Sequence, residues 1–146
     1  MSPPPGLRIP ELRLDRDGQW FIDGERIEHA RSVQVLTENV RVATDGTLST
    51  SIGREHAPIK VDDVPFFVTS ATLDASGLCL RLSDTSEVVL AAPQLRSGDD
   101  GRFYVRVKAG LAWARFSRAA YQAIMPGLGE DEQGFYLMVR GQRISF

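Results

Sequence analysis

Four cations and two aromatic rings alternate along one stretch near the carboxy terminus, and no carboxylate interrupts them. Arg102-Phe103-Tyr104-Val105-Arg106-Val107-Lys108 repeats with period two, so successive side chains leave on opposite faces of a strand. Ala109-Gly110 supplies a turn, and pairing Lys108 with Leu111 sets Arg106 opposite Trp113 and Tyr104 opposite Arg115. One face then carries Phe103, Val105, Val107, Ala112, Ala114 and Phe116. The other carries Arg102, Tyr104, Arg106, Lys108, Leu111, Trp113 and Arg115. Such a surface can hold an anion and stack a planar ring, the two demands of a nucleotide-like ligand. The alternative is a solvated sheet face whose arginines lie over its own aromatics, each pair contributing about 0.5–1 kcal/mol.

Other chemistry-bearing residues are sparse. His29 and His56 fall in different elements, which leaves no metal-binding spacing. Asp62-Asp63 precede an apolar strand and could chelate a cation or orient a base, but adjacent strand residues point apart, and the pair serves equally as a turn or cap. Gly127-Leu128-Gly129 lacks the setting of a dinucleotide fingerprint. Cys79, the single cysteine, sits in Leu78-Cys79-Leu80 and reads as inert core. No catalytic residue, metal or cofactor is expected; a small hydrolase using His56 with Asp62 or Asp63 is the weakest of three functional readings.

Composition and charge narrow the class. A chain of 146 residues, 42% hydrophobic and 25% charged, builds one sizeable core or two small ones. One cysteine and no long apolar run fit a soluble, cytoplasmic, reducing setting with no membrane role. Residues 1–100 carry 10 basic and 16 acidic side chains, and residues 101–146 carry 7 and 3. The positive excess coincides with the two-faced hairpin, yet is too mild for general DNA binding.

These residues need a scaffold of strands. Residues 1–10, rich in proline, read as a flexible lead-in. Trp20-Phe21-Ile22, Asp23-Gly24 and Glu25-Arg26-Ile27 make a hairpin, because Asp-Gly tolerates the positive φ of a two-residue turn. A helix is expected from His29 to Glu38, a second hairpin around Asp45-Gly46, and a meander through Ile59–Val61, Phe66–Leu73, Leu78–Leu82 and Glu87–Ala91. Pro93 to Gly101 reads as a polar loop, Ser117 to Met125 as a helix capped by Ser117, and the end as a closing hairpin. Setting Asp45-Gly46 on Asp100-Gly101 brings the segment 58–66 over 113–121, and Trp20–Ile27 resembles Leu137–Ile144. These likenesses suggest a duplicated core.

Asp17-Gly18-Gln19-Trp20-Phe21-Ile22-Asp23-Gly24-Glu25-Arg26-Ile27, Val61-Asp62-Asp63-Val64-Pro65-Phe66-Phe67, and Tyr104 through Leu111 with Arg115 and Tyr121 resemble the uncharacterised bacterial family called domain of unknown function 1285. The resemblance implies a duplicated α+β core whose second lobe is loosely pleckstrin-homology-like. It also implies a nucleotide-type ligand where the lobes meet and a part in signal transduction. Gly53-Arg54-Glu55-His56-Ala57-Pro58 departs from the polar stretch usual in the family, and Ala109 stands where a second glycine is usual.

The expectation is therefore an α+β protein of two tandem β-rich lobes with few short helices, residues 11–74 and 75–146. Its expected role is non-enzymatic sensing of a small anionic ligand held by Tyr104, Arg106, Lys108, Trp113 and Arg115 with Asp62 and Asp63. The competing role is a protein-interaction adaptor that uses the same face against an acidic partner.

Overall fold

Short apolar–polar alternations separated by glycine-bearing turns favour strands over helices, and strands dominate the computed structural model, which describes residues 10–146. The lead-in expected over residues 1–10 lies, Pro10 apart, outside the described residues. The chain divides at Pro65/Phe66 into two units, each β-rich, in an α+β fold with two short α-helices among the described residues.

The first unit holds β1 (Leu12–Leu14), β2 (Trp20–Ile22), β3 (Glu25–Arg26), α1 (Ala30–Glu38), β4 (Arg41–Val42), β5 (Leu48–Ile52) and β6 (Glu55–Val61). They form one sheet in the order β3-β2-β1-β6-β5-β4. Leu12 and Leu14 alternate with exposed Arg13 and are buried, as are Trp20, Leu36, Ala57 and Ile59. Two hydrogen bonds fasten α1: Trp20 Nε1 donates to Thr37 Oγ1 at 2.9 Å, and the fully buried Thr50 donates Oγ1 to the Leu36 carbonyl at 2.7 Å. A buried hydroxyl with its proton so placed costs little desolvation.

The second unit holds β7 (Phe66–Asp74), β8 (Gly77–Leu82), β9 (Glu87–Leu90), β10 (Leu95–Ser97), β11 (Phe103–Val107), β12 (Ala112–Phe116) and α2 (Arg118–Ile124). A 3-10 turn (Met125–Gly127) then leads to β13 (Leu128–Asp131), β14 (Gly134–Val139) and β15 (Gln142–Ser145). Its main sheet runs β10-β11-β12-β7-β8-β9, and β13-β14-β15 form a separate sheet. Phe103 links the two sheets and α2, with ring centroids 5.3 Å from Tyr121, 5.3 Å from Phe135 and 4.4 Å from Phe146. Gly77 is required where it stands: at φ +128°, a Cβ would come 2.4 Å from the Leu90 carbonyl oxygen.

The two six-stranded sheets share one plan. Each is a pair of three-stranded meanders, joined where the first strand of one meander lies parallel to the last strand of the other. Leu12 and Leu14 pair with Ile59 and Val61 in the first sheet, as Phe66 and Val68 pair with Ala114 and Phe116 in the second. The same next bond follows in both: Asp62 N–H to the Leu14 carbonyl and Ser117 N–H to the Val68 carbonyl, each at 3.0 Å. Asp45-Gly46 and Asp100-Gly101 occupy equivalent turns, β4 to β5 and β10 to β11. Helix placement differs, since α1 precedes β4 whereas α2 follows β12.

Three expectations are corrected. The division falls at Pro65/Phe66, not near Asp74, because β7 pairs with β12 and β8 and so belongs to the second sheet. The supposed loop Pro93 to Gly101 contains β10, which pairs with β11. The likeness of Trp20–Ile27 to Leu137–Ile144 is one of turn chemistry: Asp23-Gly24 and Arg140-Gly141 both adopt positive φ, yet β14-β15 lies outside the duplicated sheet, where β8-β9 takes the place of β2-β3.

Candidate functional site

The hairpin β11-β12 has the expected register, with Tyr104 opposite Arg115, Arg106 opposite Trp113 and Val107 opposite Ala112. Phe103, Val105, Val107, Ala112, Ala114 and Phe116 are all buried. Period-two alternation then turns Arg106, Trp113 and Arg115, all half-buried, to the other face.

An arginine not anticipated from the sequence completes this face. Arg96, in the middle of β10, pairs with Tyr104 and lays its guanidinium 4.6 Å from the Tyr104 centroid and 4.7 Å from that of Trp113. Arg106 lies 4.5 Å over Trp113. One indole thus carries two guanidiniums, and neither has a carboxylate within ion-pair range among the described residues. A stacked guanidinium contributes its π face to the ring and keeps its N–H donors in the plane, where they suit a bidentate oxyanion. Beside them opens a hollow of about 450 Å3 lined by Pro93, Gln94, Leu95, Arg106, Trp113 and Ser145.

Other expected members of the site are placed differently. Tyr104 is 4% exposed, covered by Arg96 and packed so closely on Gly98 that a Cβ there would lie 3.0 Å from the ring, so it is no stacking platform for a ligand. Lys108 adopts φ 55° and leaves the strand alternation. Its ammonium binds the Asp84 carboxylate and Ser86 Oγ at 3.1 Å and lies 5.0 Å over Phe66, so its charge is neutralised inside the unit. Leu111 is in the turn, 37% exposed.

Arg115 lies 5.0 Å over Phe67, and Arg102 pairs with Asp100 at 3.0 Å while its Nη1 is buried without a hydrogen-bond partner among the described residues. With Ser117, Arg118 and Tyr121 these arginines border a second hollow of about 300 Å3. Asp62 and Asp63 belong to the first unit, where Asp62 Oδ2 lies 3.6 Å from Arg13 Nε. His56 meets Ser51 Oγ at 3.3 Å on an exposed strand pair. Cys79 is half-buried rather than core; partial desolvation and the Asp74 carboxylate, 3.6 Å from Sγ, push its thiol up and hold it in the unreactive protonated form. No group of three His, Cys, Asp or Glu residues is placed to hold a metal among the described residues, and none of their helices is long and apolar enough to cross a membrane.

Arg96 was hidden by length. Leu95-Arg96-Ser97 is too short for periodicity to declare a strand, and the flanking Pro93 and Ser97-Gly98-Asp99-Asp100-Gly101 read as turn.

A two-unit α+β scaffold with a duplicated six-stranded sheet and an arginine–aromatic face is the class of protein so defined. The fold is shared with a DUF1285 family protein from Silicibacter pomeroyi DSS-3, at a TM-score of 0.67 and 20% identity over 93% of this chain and 79% of that one. A DUF1285 family protein from Shewanella baltica OS155 matches at a TM-score of 0.53 and 18% identity, over 78% of this chain and 89% of the other. This is the uncharacterised family that the residues of the chain resemble. No family model and no curated protein matches the sequence.

Proposed function

We propose that the chain is a non-enzymatic sensing protein that binds a small anionic ligand on the β10-β11-β12 face. Arg96 and Arg106 hold a phosphate or carboxylate, the half-buried Trp113 beneath them fixes their planes beside the planar part, and Arg115 adds a further guanidinium. The observation that carries this reading is the pair of guanidiniums stacked on one indole, without a carboxylate partner among the described residues, at the edge of a hollow. A nucleotide or nucleotide second messenger combines the anion and the ring that such a face suits.

A thermal-shift screen of the whole chain against nucleotides, nucleotide second messengers and simple polyanions tests it, since a ligand at about 100 times its Kd adds roughly 2.7 kcal/mol of stability. Arg96→Ala, Arg106→Ala and Trp113→Ala should each weaken binding by about 1–3 kcal/mol while the protein stays folded. Arg106→Lys should restore only part, because an ammonium lacks the planar fork. Unchanged affinity in all three alanine variants rules this face out as the site. A flat screen combined with capture of an acidic protein that these variants abolish would establish the adaptor role instead.

A further inference from the structure

A hollow in the first unit shares no lining residue with the arginine face. It measures about 500 Å3, within the range of small-molecule sites. Leu12 and Leu36, both buried, line it together with Ile22, Ile27 and Val35. Ile22 and Val35 are 36% and 38% exposed. Large aliphatic side chains left open singly on a surface are ordinary, but here they border one concavity, where a ligand's apolar body would cover them together.

The polar lining is as one-sided as the apolar part is continuous. Among the described residues it consists of His29, Arg31, Ser32 and Ser51, with no carboxylate. Arg31 has no ion-pair partner among the described residues. His29 caps α1, its Nδ1 accepting the Ser32 N–H at 3.3 Å. Ser32 Oγ also lies 3.2 Å from this nitrogen, so the cap occupies Nδ1 and leaves Nε2 as the ring position open to a ligand. A guanidinium and an imidazole on one cavity, with both lining hydroxyls already bonded to histidine nitrogens, suit an oxyanion head.

We propose that this cavity binds an amphipathic anion, an unbranched aliphatic chain ending in a carboxylate or phosphate. The chain covers Ile22, Ile27 and Val35, and the head meets Arg31 and His29. This site belongs to the first unit alone and is independent of the arginine face of the second.

Calorimetric titration of the whole protein with decanoate, decyl phosphate, decanol and acetate tests it. One of the two amphipathic anions should bind; which of them binds tighter identifies the head group. Decanol should bind at least roughly tenfold more weakly, because it leaves the guanidinium without a charged partner, and acetate should give no heat. Arg31→Glu should weaken the anion by roughly ten- to a hundredfold. Val35→Trp fills the cavity and should abolish binding; if that variant does not fold, Ile22→Gln, at an exposed position, should reduce it instead. Arg106→Ala should leave this affinity unchanged, which keeps it distinct from the arginine-face reading. The proposal is overturned if neither anion binds, if decanol matches them, if Arg31→Glu binds as the parent does, or if the protein takes up these molecules only when they are presented in anionic vesicles.

Discussion

Asp84 illustrates how one carboxylate decides whether a neighbouring cation is available to a ligand. Burial opposes its ionisation, yet hydrogen bonds from Lys108 and Ser86 outweigh that cost and hold it below the ordinary carboxylate range. The ionised form is thus favoured by folding. Its contribution is complete above the pKa of the unfolded chain, near about 4, and is lost as pH falls through the lower folded value. Asp84→Asn should cost about 1–3 kcal/mol at pH 7 in urea denaturation, and the gap to the parent should close toward about pH 2. A gap that is the same at both pH values would locate the loss in packing rather than charge. Arg96 and Arg106 show the opposite arrangement: with rings rather than carboxylates beneath them, they keep both charge and donors for something else.

Among the elements, the β11-β12 hairpin was readable because alternation, turn and cross-strand partners all agree. Val105 is fully buried at its centre, so Val105→Asp should cost several kcal/mol by leaving an unpaired carboxylate in the core. A variant with a near-parent thermal midpoint would show the strand to be one residue out of register. The helices, the Asp-Gly turns and the repeat linking residues 58–66 to 113–121 were legible for the same reason, since each is specified by residues close in sequence. What was not legible depends on partners. A three-residue strand such as β10 exists only because β11 is beside it, and Lys108 leaves the face because Asp84, distant in sequence, offers a better contact than water. Likewise the boundary could not be placed at Pro65 without knowing that β7 would pair with β12.

At the scale of the molecule, each unit has a six-stranded sheet of its own, and no strand among the described residues is shared between them. The second unit buries Phe66, Val68, Leu78, Leu80, Val105, Ala114, Phe116, Ile124, Leu137 and Val139, a core of the size that domains of this length need. A fragment of residues 66–146 should therefore unfold cooperatively on heating, with dispersed amide resonances; a collapsed, non-cooperative fragment would make the unit dependent on residues before Phe66.

The parallel strand pair at the middle of each sheet also sets a clock. β1 has to wait for β6, and β7 for β12, about fifty residues further along, so the central seam of each sheet is a high-contact-order event that local hairpins cannot finish by themselves. During synthesis the β1-β2 ribbon emerges with one side of β1 unpaired and stays so until Ile59–Val61 leaves the ribosome. At about 5–20 residues per second, that exposure lasts seconds for each unit in turn, an interval in which an unfinished strand edge is open to chaperones or to another copy of itself.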